Sequence, residues 1–292
     1  MTWTTEAPAK VNLDLRLCGL RADGYHLLDT VLQSIALADT LTLRSHPGAF
    51  ALTCDAPGVP TDTRNLAWKG AVAMAAALGL SLDGWILQLD KRVPAESGLG
   101  GGSADAAAAA RLVAAAAGRA LEPATLAEVI RPLGADVAFF AWGGTMRGEG
   151  VGDELTALPD AAPAALLLVR PPFGVSTRDA YGWYDEGVRG RPGAGSRVPG
   201  PSGGVALGEC ANDLQAPVVE RHPEIGRIVD RLRGVGARLA AMSGSGSACF
   251  GLFEPDADLG PLADDWPTGT RVWHTALLDR VAYAERTECR MV

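Results

Sequence analysis

The residues best suited to chemistry form one stretch, Pro94-Ala95-Glu96-Ser97-Gly98-Leu99-Gly100-Gly101-Gly102-Ser103-Ala104-Asp105, with four glycines, three of them in a row. Glycine adopts positive φ without steric cost and lets backbone approach a bulky anion closely. An alanine-rich run over 104–117 follows, with Gly118 as a stop signal. The pattern predicts a glycine arch feeding a helix N-terminus, where free N–H groups and the helix dipole favour phosphate. It is not a Walker A loop, because no Gly-Lys-Ser/Thr follows the glycines. It is not a dinucleotide fingerprint, because the spacing and the early βαβ context differ. A glycine-rich turn without a ligand is the competing reading.

Phosphoryl transfer is mostly positioning and charge stabilisation, with a carboxylate to orient or deprotonate the attacking hydroxyl. Asp136 is the candidate carboxylate, set between Gly134-Ala135 and Val137-Ala138-Phe139-Phe140. Its local sequence equally allows a helix N-cap. A nearby cation would hold Asp136 ionised and neutralise charge on the phosphate. Lys10 is the candidate cation, with a solvated strand-end lysine as the alternative. Of 26 basic residues only Lys10, Lys69 and Lys91 are lysine. In that background a lysine either marks a need for a compact point charge or is a chance retention.

The elements that must position these groups follow from periodicity and caps. Residues 3–18 alternate as a strand, with Lys10 and Asn12 on one face and Val11 and Leu13 on the other. Asp23-Gly24 is a turn, and 30–37 and 39–44 read as two further strands. Asn65 and Gly79 bracket, as N-cap and C-cap, a helix that runs to Leu78. A strand over 84–89 delivers the chain into the glycine arch. Residues 123–130 and 223–232 read as helices, and 164–170, 239–242, 248–253 and 270–278 as strands. Residues 187–208, dense in Gly, Pro and Ser, read as an exposed insertion. A domain boundary is expected near 159–163. Mixed helices and strands without strict alternation indicate an α+β fold.

Composition narrows the function. The 292 residues suit one large domain or two of ordinary size, and 48% hydrophobic with 21% charged residues suits a packed globule. A net charge of −8 argues against a nucleic-acid partner that needs a broad basic face. Five scattered cysteines (Cys18, Cys54, Cys210, Cys249, Cys289) lack any CxxC pairing, so neither a disulfide framework nor a zinc site is expected. The four histidines lack ligand spacing. Neither a signal peptide nor an apolar run long enough to span a membrane is read, so a cytoplasmic protein is expected.

Three motifs then acquire a common meaning. Ala7-Pro8-Ala9-Lys10-Val11-Asn12-Leu13, the glycine arch and Met242-Ser243-Gly244-Ser245-Gly246 resemble the motifs of the GHMP small-molecule kinases, in family order. Three further stretches narrow the resemblance: Arg21-Ala22-Asp23-Gly24-Tyr25-His26-Leu27-Leu28-Asp29-Thr30-Val31, Gly134 to Phe140, and Asn212-Asp213-Leu214. They resemble the branch whose substrate carries a cytidine diphosphate group. The likeness covers nearly the whole chain apart from 187–208.

The resemblance implies two α+β domains, 1–160 and 161–292, with the active site in the cleft between them. The first would be ribosomal protein S5 domain 2-like and the second a ferredoxin-like α/β sandwich. It implies ATP as co-substrate, Mg²⁺, and phosphorylation of the 2-hydroxyl of a cytidine-diphosphate-linked methylerythritol on the non-mevalonate route to isoprenoid precursors. Lys10 and Asp136 match the family's catalytic pair, Asp136 as the base. Residues 94–104 match the ATP phosphate loop, and Asn12 a substrate contact near the reacting group. Tyr25 matches a residue that stacks on cytosine and His26 one that hydrogen-bonds it, an aromatic face and a polar edge suited to a base. Asn65 and Lys69 are placed near the adenine, Ser103 near phosphate or Mg²⁺, and Thr177 on the substrate side. Glu96 departs from what anionic ATP would favour and is expected to face solvent. A monomer or weak homodimer is expected, without nucleic-acid or membrane partners. The alternatives are a mevalonate- or homoserine-type kinase, whose substrates offer Tyr25 and His26 no base, and a non-catalytic ATP-binding protein of the same fold.

Overall fold

The computed structural model describes residues 1–188, 207, 210–262, 264 and 266–292. Two long strands, β1 (Thr2–Leu20) and β2 (His26–Ser45), pair antiparallel and form the spine of the first sheet. Where two strands were expected over 30–37 and 39–44, β2 runs unbroken, because Ala38 pairs with Pro8 and a bulge between Pro8 and Lys10 absorbs the irregularity. β3 (Ala51–Cys54) follows, then α1 (Leu66–Leu78). The side chain of Asn65 caps α1 by accepting from Ala67 N at 2.8 Å, and Gly79 closes it at φ 67°.

β4 (Trp85–Asp90) leads into α2 (Gly101–Ala116). Ala106 to Ala110 are all fully buried, so the middle of α2 is enclosed on every side. Next come α3 (Pro123–Ile130), α4 (Phe139–Trp142), β5 (Thr145–Glu149) and β6 (Glu154–Ala157).

The second sheet begins with β7 (Ala165–Arg170), followed by α5 (Thr177–Val188), α6 (Gln215–Arg221), α7 (Pro223–Gly234), β8 (Leu239–Met242), β9 (Cys249–Phe253) and β10 (Arg271–Ala276). Finally α8 (Arg280–Arg286) and β11 (Arg290–Met291) return to the first sheet, where β11 pairs with β1. The expected insertion 187–208 lies, apart from residues 187, 188 and 207, outside the described residues.

The first sheet has the order β11-β1-β2-β4-β3, with β5 also on β2 and β6 on β5; the second has the order β10-β7-β9-β8. Three cores hold them. One lies between the first sheet and α1 to α4, and a second between the other sheet and α5 to α7. The third fuses the halves: Ala9, Val11 and Leu13 of β1 pack with Leu166, Leu168, Ala241 and Phe250. The period-two alternation of β1 thus buries one face between the halves and turns Lys10 and Asn12 the other way, into the cleft. No helix among the described residues is long and apolar enough to cross a membrane.

Candidate active site

The cleft has a volume of about 780 Å³ and is lined from both halves. The arch forms one wall. Gly98 and Gly100 stand at φ 77° and 69°. A Cβ on Gly98 would lie 2.0 Å from the Ser243 carbonyl oxygen, and one on Gly100 2.7 Å from Phe140 Cζ, so no side chain fits at either position. Gly100 is the N-cap of α2 and supplies no side-chain cap, which leaves the first N–H groups of the helix for an anion. The arch predicted from glycine spacing is therefore present, and its helix begins at Gly101, three residues earlier than the sequence suggested.

Backbone and hydroxyl bonds tie the three motifs together. Lys10 N donates to Leu99 O at 3.0 Å, and Ala248 N to Ser97 O at 3.1 Å. The Ser243 hydroxyl donates to Gly98 O at 3.0 Å and accepts from Asn12 N at 3.3 Å. Asn212 anchors the second glycine loop, its Nδ2 donating to Met242 O and Gly244 O at 2.8 and 2.7 Å. The next residue, Asp213, ties the same segment to β1, accepting from Leu17 N at 2.9 Å.

Lys10 is only 3% exposed. Its ammonium donates to Asn12 Oδ1 at 2.5 Å and lies 3.3 Å from Asp136 Oδ2. Asn12 Nδ2 donates in turn to the Thr30 hydroxyl at 2.8 Å, which fixes the amide orientation. Lys10 is thus a buried charge and not a solvated strand-end lysine. Asp136 is not a helix cap either: α4 starts at Phe139 with Ala138 at its N-cap. The Asp136 side chain is 42% exposed and faces the cleft, open to a substrate on one side and to Lys10 on the other.

Of the other residues singled out, Pro94 to Gly98 and Gly100 to Ser103 line the cleft, while Leu99 and Ala104 are buried behind it. Ser97 turns its hydroxyl inward to Pro94 O at 2.7 Å, and Glu96 is exposed at the rim. Thr177 opens α5 and shares a 3.0 Å hydrogen bond with Ser245. Asn65 lines the cleft, but its amide is spent on the α1 cap and on Pro60 O at 2.7 Å. Lys69 is exposed on α1, outside the cleft lining. Tyr25 is 64% exposed, with the Arg21 guanidinium 5.6 Å from its ring centroid. His26 packs 5.0 Å from the Tyr181 ring, and its Nε2 lies 3.3 Å from Asp185 Oδ1.

Tyr181 lines the cleft; burial and then the Asp136 charge push its phenol pKa upward, so it is a neutral donor at physiological pH. The sequence reading passed over α5 and with it Tyr181 and Asp185. It also passed over the roles of Lys91, Asp39 and Asp105, although the rarity of lysine had marked Lys91; Lys91 pairs with both carboxylates, and Lys91 and Asp105 line the cleft. A buried cation, a carboxylate open to the cleft and a glycine nest at a helix N-terminus make up the equipment for phosphoryl transfer.

Comparison with known proteins agrees. Residues 65–144 match the GHMP kinases N terminal domain and residues 203–269 the GHMP kinases C terminal. The 4-diphosphocytidyl-2-C-methyl-D-erythritol kinase of Geobacter metallireducens is 40% identical over 259 residues, covering 87% of this chain and 90% of that one. The enzyme of the same name from Deinococcus radiodurans is 40% identical, covering 84% and 82%. A crystal structure of 4-(cytidine 5'-diphospho)-2C-methyl-D-erythritol kinase superposes with a TM-score of 0.77 at 33% identity, covering 94% of this chain and 98% of that one. The mevalonate kinase of Methanococcus jannaschii shares the fold alone, with a TM-score of 0.66 at 13% identity over 94% of this chain and 98% of its own.

Fold and site define a small-molecule kinase with the two-domain GHMP architecture. The chain belongs to the 4-diphosphocytidyl-2-C-methyl-D-erythritol kinases, a branch of that family.

Proposed function

We propose that this chain transfers the γ-phosphoryl group of ATP to the 2-hydroxyl of 4-diphosphocytidyl-2-C-methyl-D-erythritol. The observation that carries the reading is the Lys10–Asp136 pair, 3.3 Å apart at the mouth of the glycine arch. Asp136 takes the proton from the attacking hydroxyl, and Asn12 orients that hydroxyl beside it. Lys10, fixed by Asn12 Oδ1, stands 3.3 Å from Asp136 and neutralises charge on the transferring phosphoryl. Residues 94–104 cradle the triphosphate through backbone N–H groups. Ser103, on the first turn of α2, offers a hydroxyl to the phosphates or to Mg²⁺.

The donor set suits that metal. Among the described residues no group of three or more Asp, Glu, His or Cys forms a cage. Mg²⁺ is commonly held by substrate phosphates and water with one or two protein oxygens, here Ser103. When bound it neutralises phosphate charge. Tyr25 and His26 are assigned to the cytosine, with Thr177 and Tyr181 on the substrate side of the cleft. The working domains are 1–160 and 161–292, with 280–291 lending α8 and β11 back to the first.

The test is ATP consumption by purified protein with the cytidyl compound, mevalonate or homoserine, each with and without Mg²⁺. Turnover with the cytidyl compound alone is expected. Turnover with another alcohol would discard the base subsite while keeping Lys10, Asp136 and the arch. Silence with all three, in protein that binds ATP, would refute catalysis.

A further inference from the structure

The turn that carries Asp136 runs straight into α4, which has only four residues. One turn of helix makes too few internal hydrogen bonds to hold its own shape in water, so its position is set from outside. Its last carbonyls have no partner within the helix, and two side chains from distant parts of the chain supply one. The Arg111 guanidinium, on α2, donates to Phe140 O at 2.7 Å and to Ala141 O at 3.2 Å. The Tyr283 hydroxyl, on α8, donates to the same Phe140 O at 2.7 Å. Phe140 is fully buried and Tyr283 nearly so. The fit is close: Gly143, which ends α4 at φ 64°, would put a Cβ 2.1 Å from Tyr283 Cδ1. Arg111 Cζ lies 5.8 Å from the Tyr283 ring centroid, so the two donors also brace each other. Burial pushes the Tyr283 phenol pKa upward against the opposing Arg111 charge, so the hydroxyl keeps the proton it donates. Neither Arg111 nor Tyr283 lines the cleft.

The segment that brings Tyr283 is itself pinned along its length. Asp279 caps α8 by accepting from Ala282 N at 2.7 Å. The Arg286 guanidinium reaches Glu6 Oε2 at 2.5 Å and Ala36 O at 2.9 Å, and the Thr5 hydroxyl donates to Thr287 O at 2.9 Å. The chain then ends in β11, paired with β1. The Tyr283 hydroxyl is therefore fixed independently of the turn it supports. From Phe140 a short run of backbone bonds leads back to Asp136. Phe140 N donates to Val137 O at 3.1 Å and Val137 N to Gly134 O at 3.2 Å, with Asp136 inside that last turn.

We propose that Tyr283 and Arg111 are positioning residues for the phosphoryl transfer: by holding Phe140 O from two sides they fix the turn that presents Asp136 to the attacking hydroxyl. The proposal rests on the reading of Asp136 as the base. A general base must stand within hydrogen-bond reach of the proton it takes, and a misplacement of about 1 Å costs on the order of a hundredfold in rate. With one donor removed, Phe140 O keeps the other. With both removed, buried carbonyls are left without partners, and the turn gains nothing by staying where the base is needed. The Phe140 ring, packed where a Cβ on Gly100 would stand, is unaltered in either case, so the arch keeps its wall and the loss falls on the chemical step.

The test is steady-state kinetics with the cytidyl substrate, ATP binding and melting curves for wild type, Tyr283→Phe and the Tyr283→Phe/Arg111→Met pair, each also made in an Asp136→Asn background. Phenylalanine keeps the ring that packs on Gly143 and removes only the hydroxyl. We expect kcat to fall about threefold to tenfold in Tyr283→Phe and about thirtyfold or more in the double variant, with the KM for ATP and for the alcohol each within about threefold. In the Asp136→Asn background the same changes should lower the residual rate by less than about threefold, because the group they place is gone. An unchanged kcat in the folded double variant overturns the proposal. So does a loss of equal size with and without Asp136, or a rise in the KM for ATP as large as the fall in kcat/KM; either would make the pair a general support of the fold. If the double variant does not fold, Tyr283→Phe decides alone, and a kcat within about twofold of wild type overturns the proposal. An Asp136→Asn enzyme as fast as wild type refutes the base itself, a result distinct from failure of the positioning pair.

Discussion

Asp136→Asn separates chemistry from architecture at a single atom pair. Asparagine keeps the size of the side chain but cannot accept the hydroxyl proton. A positioned general base contributes about 10²–10⁴-fold, or roughly 3–5 kcal/mol of barrier at about 1.4 kcal/mol per decade. The cost to the fold is much smaller. Two unit charges 3.3 Å apart would interact by about 5 kcal/mol at an effective dielectric of about 20. The Asp136 side chain is 42% exposed, however, and solvent screening brings such pairs to about 1 kcal/mol or less. Lys10 keeps its 2.5 Å contact with Asn12 Oδ1, so the variant leaves no cation without a partner. A melting temperature within about 4 °C of wild type follows. The assay is ADP release with the cytidyl substrate, run beside ATP binding and a thermal melt. We expect kcat to fall at least about a hundredfold while ATP affinity and the melt hold. A kcat within about tenfold of wild type would refute the base assignment, and a collapsed melt with lost ATP binding would show Asp136 to be structural.

Three other perturbations address other parts of the site. Gly98→Ala puts a Cβ 2.0 Å from the Ser243 carbonyl in a left-handed backbone, so ATP binding measured by titration should be lost along with about 1–3 kcal/mol of stability; retained affinity would show that the arch does not need its shape. Tyr25→Ala should raise the KM for the cytidyl substrate by about tenfold or more while the KM for ATP stays put, since stacking on a base is worth about 1–3 kcal/mol; equal changes in both would remove Tyr25 from the base subsite. Asp105 gives a stability prediction whose sign is fixed. Its folded-state value of about 8 lies above the ordinary 3.8, so the folded chain holds the proton more tightly and stability falls as pH rises between those values. Calorimetry should find that fall reduced in Asp105→Asn, and an identical slope in both proteins would sink the assignment.

The shape of the candidate site was legible because several of its residues announce themselves locally. Gly98 and Gly100 are required by backbone shape, and their spacing before an alanine-rich helix says so without any tertiary knowledge. Lys10 and Asn12 share a face by strand alternation alone, and the Asn65 and Gly79 caps were readable as residue types at helix ends. The supports were not legible in this way. Asp105 carried no local signal of its role, because Lys91 and Asp39 are respectively 14 and 66 positions away and no local pattern joins them. β2 looked like two strands because the pairing of Ala38 with Pro8 is a property of the hairpin and not of either segment. Helix α5 was missed beside the insertion that dominated its composition, and Tyr181 went with it.

The division has a physical basis. Residues that meet a substrate are constrained by the chemistry they perform, which fixes their type and their neighbours in the chain. Residues that hold them in place are constrained only by where the fold brings distant segments together. Asp39 shows the second kind: its type is ordinary, and its role comes from accepting the N–H groups of Arg92 and Val93, and from pairing with the Lys91 ammonium, across more than fifty positions of chain.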